Sequence, residues 1–152
     1  MPEVDPRAPL RRAFLVAYSL GLLLCVAWPL VLQVILVRAI PQPGATAAGL
    51  ATELGYTFTG LTALTAIFVL RRGTKVRAGM PSLDPARQPG TLLREILLYS
   101  ALFELSAAYG ILCYAMGGPG AERYGRTFLA LPPIMFFLFV PRWQKWRTAS
   151  GR

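Results

Sequence analysis

Residues 13–37 read AFLVAYSLGLLLCVAWPLVLQVILV, 25 consecutive positions without a charge. A bilayer core about 30 Å thick is crossed by roughly 20 apolar helical residues, so this stretch alone predicts a membrane span. Two more follow. Ala45–Leu70 has 26 residues with one charge, Glu53, and Ile96–Met116 has 21 residues with one charge, Glu104. Thr127–Val140 is shorter, with 14 residues between Arg126 and Pro141-Arg142. Flanking arginines extend such a segment, because their stems lie in apolar surroundings while the guanidinium reaches the headgroups. Tyr124, Trp143 and Trp146 stand where interfacial aromatic belts form. The pattern predicts an all-α integral membrane protein, a four-transmembrane-helix antiparallel bundle in a single membrane domain. Its spans are approximately 13–37, 45–70, 92–116 and 124–141.

The charges set a direction. Of 16 basic residues, 13 lie before the first span, between the second and third, or after the fourth. Only Arg38, Arg123 and Arg126 lie on the other side. The positive-inside rule then predicts both termini in the cytoplasm. The net charge of +9 is spread by topology. A nucleic-acid partner is not expected, whereas attraction to anionic membrane lipids is. Arginine outnumbers lysine 14 to 2, a bias of GC-rich genomes that suggests a bacterial inner membrane.

The connections carry the breakers. Residues 39–44, with Pro41 and Pro43, read as a short outer turn that makes the first two spans neighbours. Residues 71–90 hold three prolines and three glycines and predict an irregular cytoplasmic loop, with Thr91 as N-cap of the third helix. Residues 117–125 read as a glycine-rich outer loop. Pro29 and Pro132-Pro133 fall inside spans and predict bends. Residues 142–152 read as an interfacial tail, with Arg126, Arg142, Trp143 and Trp146 as anchors. The first span resembles a signal sequence but is too long and lacks a small-residue cleavage site, so a retained signal anchor is predicted. Leu24 is too bulky before Cys25 for lipoprotein-type processing.

The chain has no histidine. That removes bis-histidine haem ligation, histidine bases and most zinc sites. The two cysteines, Cys25 and Cys113, form no ligand or disulfide framework and read as apolar packing. No phosphate-cradling loop, nucleophile elbow or protease signature occurs. The prediction is a non-enzymatic protein without a metal or cofactor.

Glu53 and Glu104 remain. An ionised side chain deep in a bilayer costs roughly 2.5–3.5 kcal/mol on insertion scales. Counted from the ends of their apolar runs, each lies about 12 Å inside the core, so their depths differ by only ~6 Å. The two carboxyls are expected to meet across a helix interface, where they would not both carry charge. Tyr56, Thr57, Ser100 and Tyr109 complete the candidate polar site. Small residues recur beside it: Ala45, Gly49 and Thr57 flank Glu53 at four-residue spacing, and Ser100 and Ala108 flank Glu104. Such rows let helices approach closely in lipid.

Residues 104–111, Glu-Leu-Ser-Ala-Ala-Tyr-Gly-Ile, resemble the ion-binding helix of rotary-ATPase ring proteolipids. The resemblance would make Glu104 a proton or sodium carrier and Tyr109 part of its shell. It is confined to these eight residues. The first span, with Trp28, Pro29 and Gln33, lacks that family's glycine-repeat inner helix, and the chain is not placed in the family.

Two functions are thereby expected. The first is an accessory or assembly subunit bound to other integral membrane subunits, in a homo- or hetero-oligomer. The alternative is a small proton- or cation-translocating protein using Glu104 with Glu53.

Overall fold

A computed structural model describes residues 8–39, 50–116 and 120–150. Residues 40–44 of the expected outer turn, the small residues Ala45 and Gly49, and residues 1–7 of the N-terminal tail lie outside the described residues; Ala39 is the last residue of a helix. Among those described, the elements are all helical. Helix α1 (Ala8–Leu22) passes through a wide π turn (Leu23–Ala27) into α2 (Trp28–Ala39). Next come α3 (Leu50–Gly79), α4 (Gln88–Met116), α5 (Ala121–Phe139) and α6 (Trp143–Ala149). Three stretches are long and apolar enough to cross a membrane: Ala8–Leu36, Thr52–Ser82 and Gln88–Met116. A fourth is added if α5 and α6, bent by 41°, count as one span.

The π turn has a local cause. A proline ring clashes with the carbonyl four residues back and removes an N–H. For Pro29 that carbonyl belongs to Cys25. The helix widens just before the proline, and the Trp28 N–H donates five residues back to the Leu23 carbonyl. The bend predicted from Pro29 thus takes the form of a π turn. Helix α5, by contrast, continues through Pro132 and Pro133.

Residues 71–79 are helical, not the irregular segment predicted. This run contains no proline, and Arg, Lys and Ala favour helix. At about 1.5 Å per residue, α3 is ~45 Å long, some 15 Å more than a hydrocarbon core. Its basic C-terminal end, Arg71 to Arg77, continues the helix past the apolar run. The irregular part shrinks to Met80–Arg87, and it is tightly held. Gln88 Nε2 donates to the carbonyls of Met80 and Leu83 at 3.2 and 3.3 Å. The Asp84 carboxylate accepts from the Ala86 N–H at 3.0 Å. Helix α4 therefore begins at Gln88, with Pro89 in its first turn, where a missing N–H costs nothing. Thr91 is not a cap: its hydroxyl donates back to the Arg87 carbonyl.

Helix α4 is the centre of the packing, against α1 on one side and α5 and α3 on the others. Gly110 and Gly125 allow the close approach of α4 and α5. A Cβ on Gly110 would lie 2.8 Å from the Gly125 carbonyl oxygen. The main core gathers at the basic end of the molecule. It includes Leu10 and Phe14 of α1, Met80, Leu92, Ile96 and Tyr99, and Phe136, Val140 and Trp146. Among the described residues, the opposite end holds a smaller cluster around Leu36, Ala107 and Leu129.

The C-terminal segment is part of that core. Trp146 is 0% exposed, and Trp143 packs on Phe14 with ring centroids 5.5 Å apart. Trp146 thus lies inside the bundle and not on the interfacial surface expected of it, while Trp143 stays half-buried. The physical reason is the 41° bend at Pro141, which turns the Trp146 face of α6 onto the core. Trp146→Ala is expected to lower stability by about 3–5 kcal/mol and to expose the last ten residues to protease. An unchanged unfolding transition in mixed micelles would show that α6 is not docked.

Candidate functional site

The register of α3 against α4 fixes where each acid lies. Arg72 of α3 grips Glu95 of α4 through two bonds, Nε to Oε2 at 2.7 Å and Nη2 to Oε1 at 2.6 Å. Glu95 is only 3% exposed. Further along, Phe58 of α3 stacks on Tyr109 of α4 with centroids 4.4 Å apart and planes 5° from parallel. Phe58 precedes Arg72 by the same number of residues as Tyr109 follows Glu95. The two contacts therefore share one register, with the helices running in opposite directions. In that register Glu104 lies level with Ala63 of α3, and Glu53 lies level with Tyr114 of α4.

The structure does not bring Glu53 and Glu104 together. Ten residues of α3 separate their levels, about 15 Å, not the ~6 Å inferred from the apolar runs. They also lie on different sides of α4. Glu104 is nine residues beyond Glu95, two and a half turns at 3.6 residues per turn, so it points away from α3. Glu53 is exposed in the first described turn of α3. There the helix dipole favours a carboxylate. It stands 18 residues from Arg71, about 27 Å, which is nearly a full hydrocarbon thickness. Glu53 is a boundary residue, and Glu104, ten residues (~15 Å) from exposed Arg94, is at mid-depth.

Its expected neighbours divide in the same way. Tyr56 is 71% exposed and meets Tyr124 edge-on at 6.5 Å. The Thr57 hydroxyl donates to the Glu53 carbonyl at 3.0 Å, within its own helix. Tyr109 belongs to an aromatic group with Phe58 and Phe128, not to a shell around Glu104. Ser100 does share the face of Glu104, one turn earlier. Its hydroxyl donates to the Ile96 carbonyl at 2.9 Å, and its carbonyl accepts the Cys25 thiol at 3.6 Å.

The site at Glu104 is thus built from α4 and the π turn of α1. Gly21 lets the two helices meet: a Cβ there would lie 2.7 Å from Ser100 Oγ and would collide with the Phe136 ring. Cys25 is fully buried in the wide turn, near Glu104. Glu104 Oε1 is buried and has no hydrogen-bond partner among the described residues. Among the described residues no group of three or more Cys, Asp or Glu side chains comes together.

No protein-family model, curated protein or solved structure matches this chain. The site is read from its own geometry.

Of the expected anchors, Arg126 is exposed, pairs with Glu122 one turn earlier and donates to the Tyr114 hydroxyl at 3.4 Å. Arg142 is exposed beside the bend. The residues that sequence reasoning passed over are Arg72 and Glu95. Treating every inner cation as a topology signal hid the pair. The available signal was an acid, Glu95, placed among those cations.

Removing one member of this pair leaves Glu95 buried without compensation. Arg72→Ala is expected to be destabilising, by less than the loss of a fully buried pair because the Arg72 guanidinium is itself part-exposed. Arg72→Leu with Glu95→Leu should recover most of that loss. A double-mutant cycle with no coupling would refute the pairing.

Proposed function

We propose that this protein is a small, non-enzymatic subunit of a larger membrane complex, an accessory or assembly component that docks against another integral membrane chain. The fuller picture is a four-span antiparallel bundle in a bacterial inner membrane, with both termini cytoplasmic. The pairwise helix directions and the basic, densely packed end support it.

The observation that carries the docking reading is Glu104, a mid-depth carboxyl that is partly exposed and whose buried Oε1 has no hydrogen-bond partner among the described residues. Intramembrane acids find partners because lipid offers no hydrogen bonds. Beside the acid, α4 exposes an apolar face of alanines with Leu105 and Leu112 among them. Ala101, Ala108 and Ala115 recur every seven residues and are exposed, with Glu104 in register between the first two. A seven-residue seam suits left-handed helix pairing, and small side chains allow close approach in lipid. The occupant is another chain's membrane helix that presents a hydrogen-bond donor at mid-depth.

The same unpartnered oxygen is the feature a proton or cation carrier would need, so ion translocation through Glu104 is the second reading. Its form with Glu53 as a paired carboxyl is not supported by the positions of the two acids. One set of variants separates the readings. Glu104→Gln keeps hydrogen-bonding capacity but carries no titratable proton, whereas Glu104→Ala removes both. Docking predicts that wild type and Glu104→Gln co-purify with other integral proteins in mild detergent and that Glu104→Ala and Ala108→Trp do not. Proton or cation flux in vesicles lost in Glu104→Gln, with no co-purifying protein, would transfer the assignment to translocation.

A further inference from the structure

We propose that the corner where α6 meets the start of α1 binds the headgroup of an anionic phospholipid. Two segments from opposite ends of the sequence are pinned together there. Phe14 stacks against Trp143, and Leu10, Phe14, Val140 and Trp146 share one core. Their exposed flanks are Arg11 and Arg12 on α1, and Arg142, Lys145 and Arg147 around α6. The five cations thus flank the joint on several sides, with Lys145 and Arg147 on opposite edges of α6, which also packs on α3.

Like charges gathered on a rigid base repel one another, and they attract a compact anion. Among the described residues the ion pairs are Arg72–Glu95 and Arg126–Glu122, so none of the five has an acidic partner there. The geometry favours a lipid over a free anion. The corner closes one end of the apolar helices, where a phosphate headgroup lies while its acyl chains run along α1. Exposed Leu15, Val16 and Leu20 supply an apolar track beginning one turn above Arg11 and Arg12. Basic pockets between helices at the cytoplasmic boundary bind anionic headgroups by this combination.

This inference does not depend on docking at Glu104, which lies at mid-depth on α4. The test uses the purified full-length protein in detergent, given equal phosphatidylglycerol and phosphatidylcholine of matched acyl chains, with retained lipid counted by native mass spectrometry. Wild type is expected to retain phosphatidylglycerol preferentially. Single changes Lys145→Gln or Arg11→Gln should each lower that preference by roughly fivefold. The pair Arg87→Gln and Arg94→Gln, exposed at the same end on the loop and first turns of α4, should preserve it. Buried-tryptophan fluorescence confirms that each variant keeps α6 in place. Equal retention of the two lipids would overturn the site. So would an equal loss in the Arg87/Arg94 variant, which would mean a diffuse field. Displacement of the lipid by millimolar inorganic phosphate would make this a free-anion site and reject the lipid assignment.

Discussion

The two-bond grip of Arg72 on Glu95 sets the depth scale of the molecule. Taking a carboxylate out of water is expensive, and the attraction recovers that cost only with good geometry. The planar guanidinium fork supplies it, with bonds of 2.7 and 2.6 Å. A slip of one turn, about 5.4 Å, would strand Glu95. The pair therefore acts as a pin for the register of α3 on α4, and Phe58 stacked on Tyr109 keeps that register about four turns further along the same two helices. From it follow the boundary position of Glu53 and the isolation of Glu104.

A second constraint is backbone accounting around Pro29. In lipid a freed carbonyl has no water to turn to. The wide turn Leu23–Ala27 absorbs the missing bond, and it also re-aims the helix. Before it, Ala17 and Gly21 press α1 against α4 and Phe136. After it, α2 packs with Leu129 of α5. The break places Cys25 beside the Ser100 carbonyl and leaves Glu104 next to a helix that offers it no donor. π turns are frequent at functional sites, and this one borders the chain's only mid-depth acid among the described residues.

The membrane helices were legible in the sequence because lipid imposes a length and an apolar composition that few other environments require. The span from Ala13 and the two that contain Glu53 and Glu104 follow from that rule alone. Three things were not legible. The helical run Arg71–Gly79 is polar, and apolar content says nothing about where a helix stops after leaving the core. The meeting of Arg72 with Glu95 depends on register, which apolar runs do not encode. Measuring depth from the ends of those runs placed Glu53 too deep, since its distance from the basic end of α3, about 27 Å to Arg71, is fixed by the helix and not by where the apolar run begins. Trp146 illustrates the same limit. A tryptophan next to arginines has the composition of an interfacial belt, and only the fold of α6 over the core distinguishes the two.

The register also constrains any partner. Glu104 sits about 15 Å from the level of Arg94, midway across the bilayer, so a donor on a neighbouring helix must come from its centre and not from a snorkelling end. Lysine or arginine near a helix terminus reaches outward to the headgroups, away from Glu104. The alanines at seven-residue spacing narrow the choice further. They permit a close axis-to-axis approach only if the facing positions are also small, and the heptad period favours a shallow crossing of roughly 20°. A helix with bulky residues around a central donor would be held too far away to reach the carboxyl. Docking at Glu104 as proposed therefore requires a membrane helix with small residues on one seam and a single polar side chain at its middle.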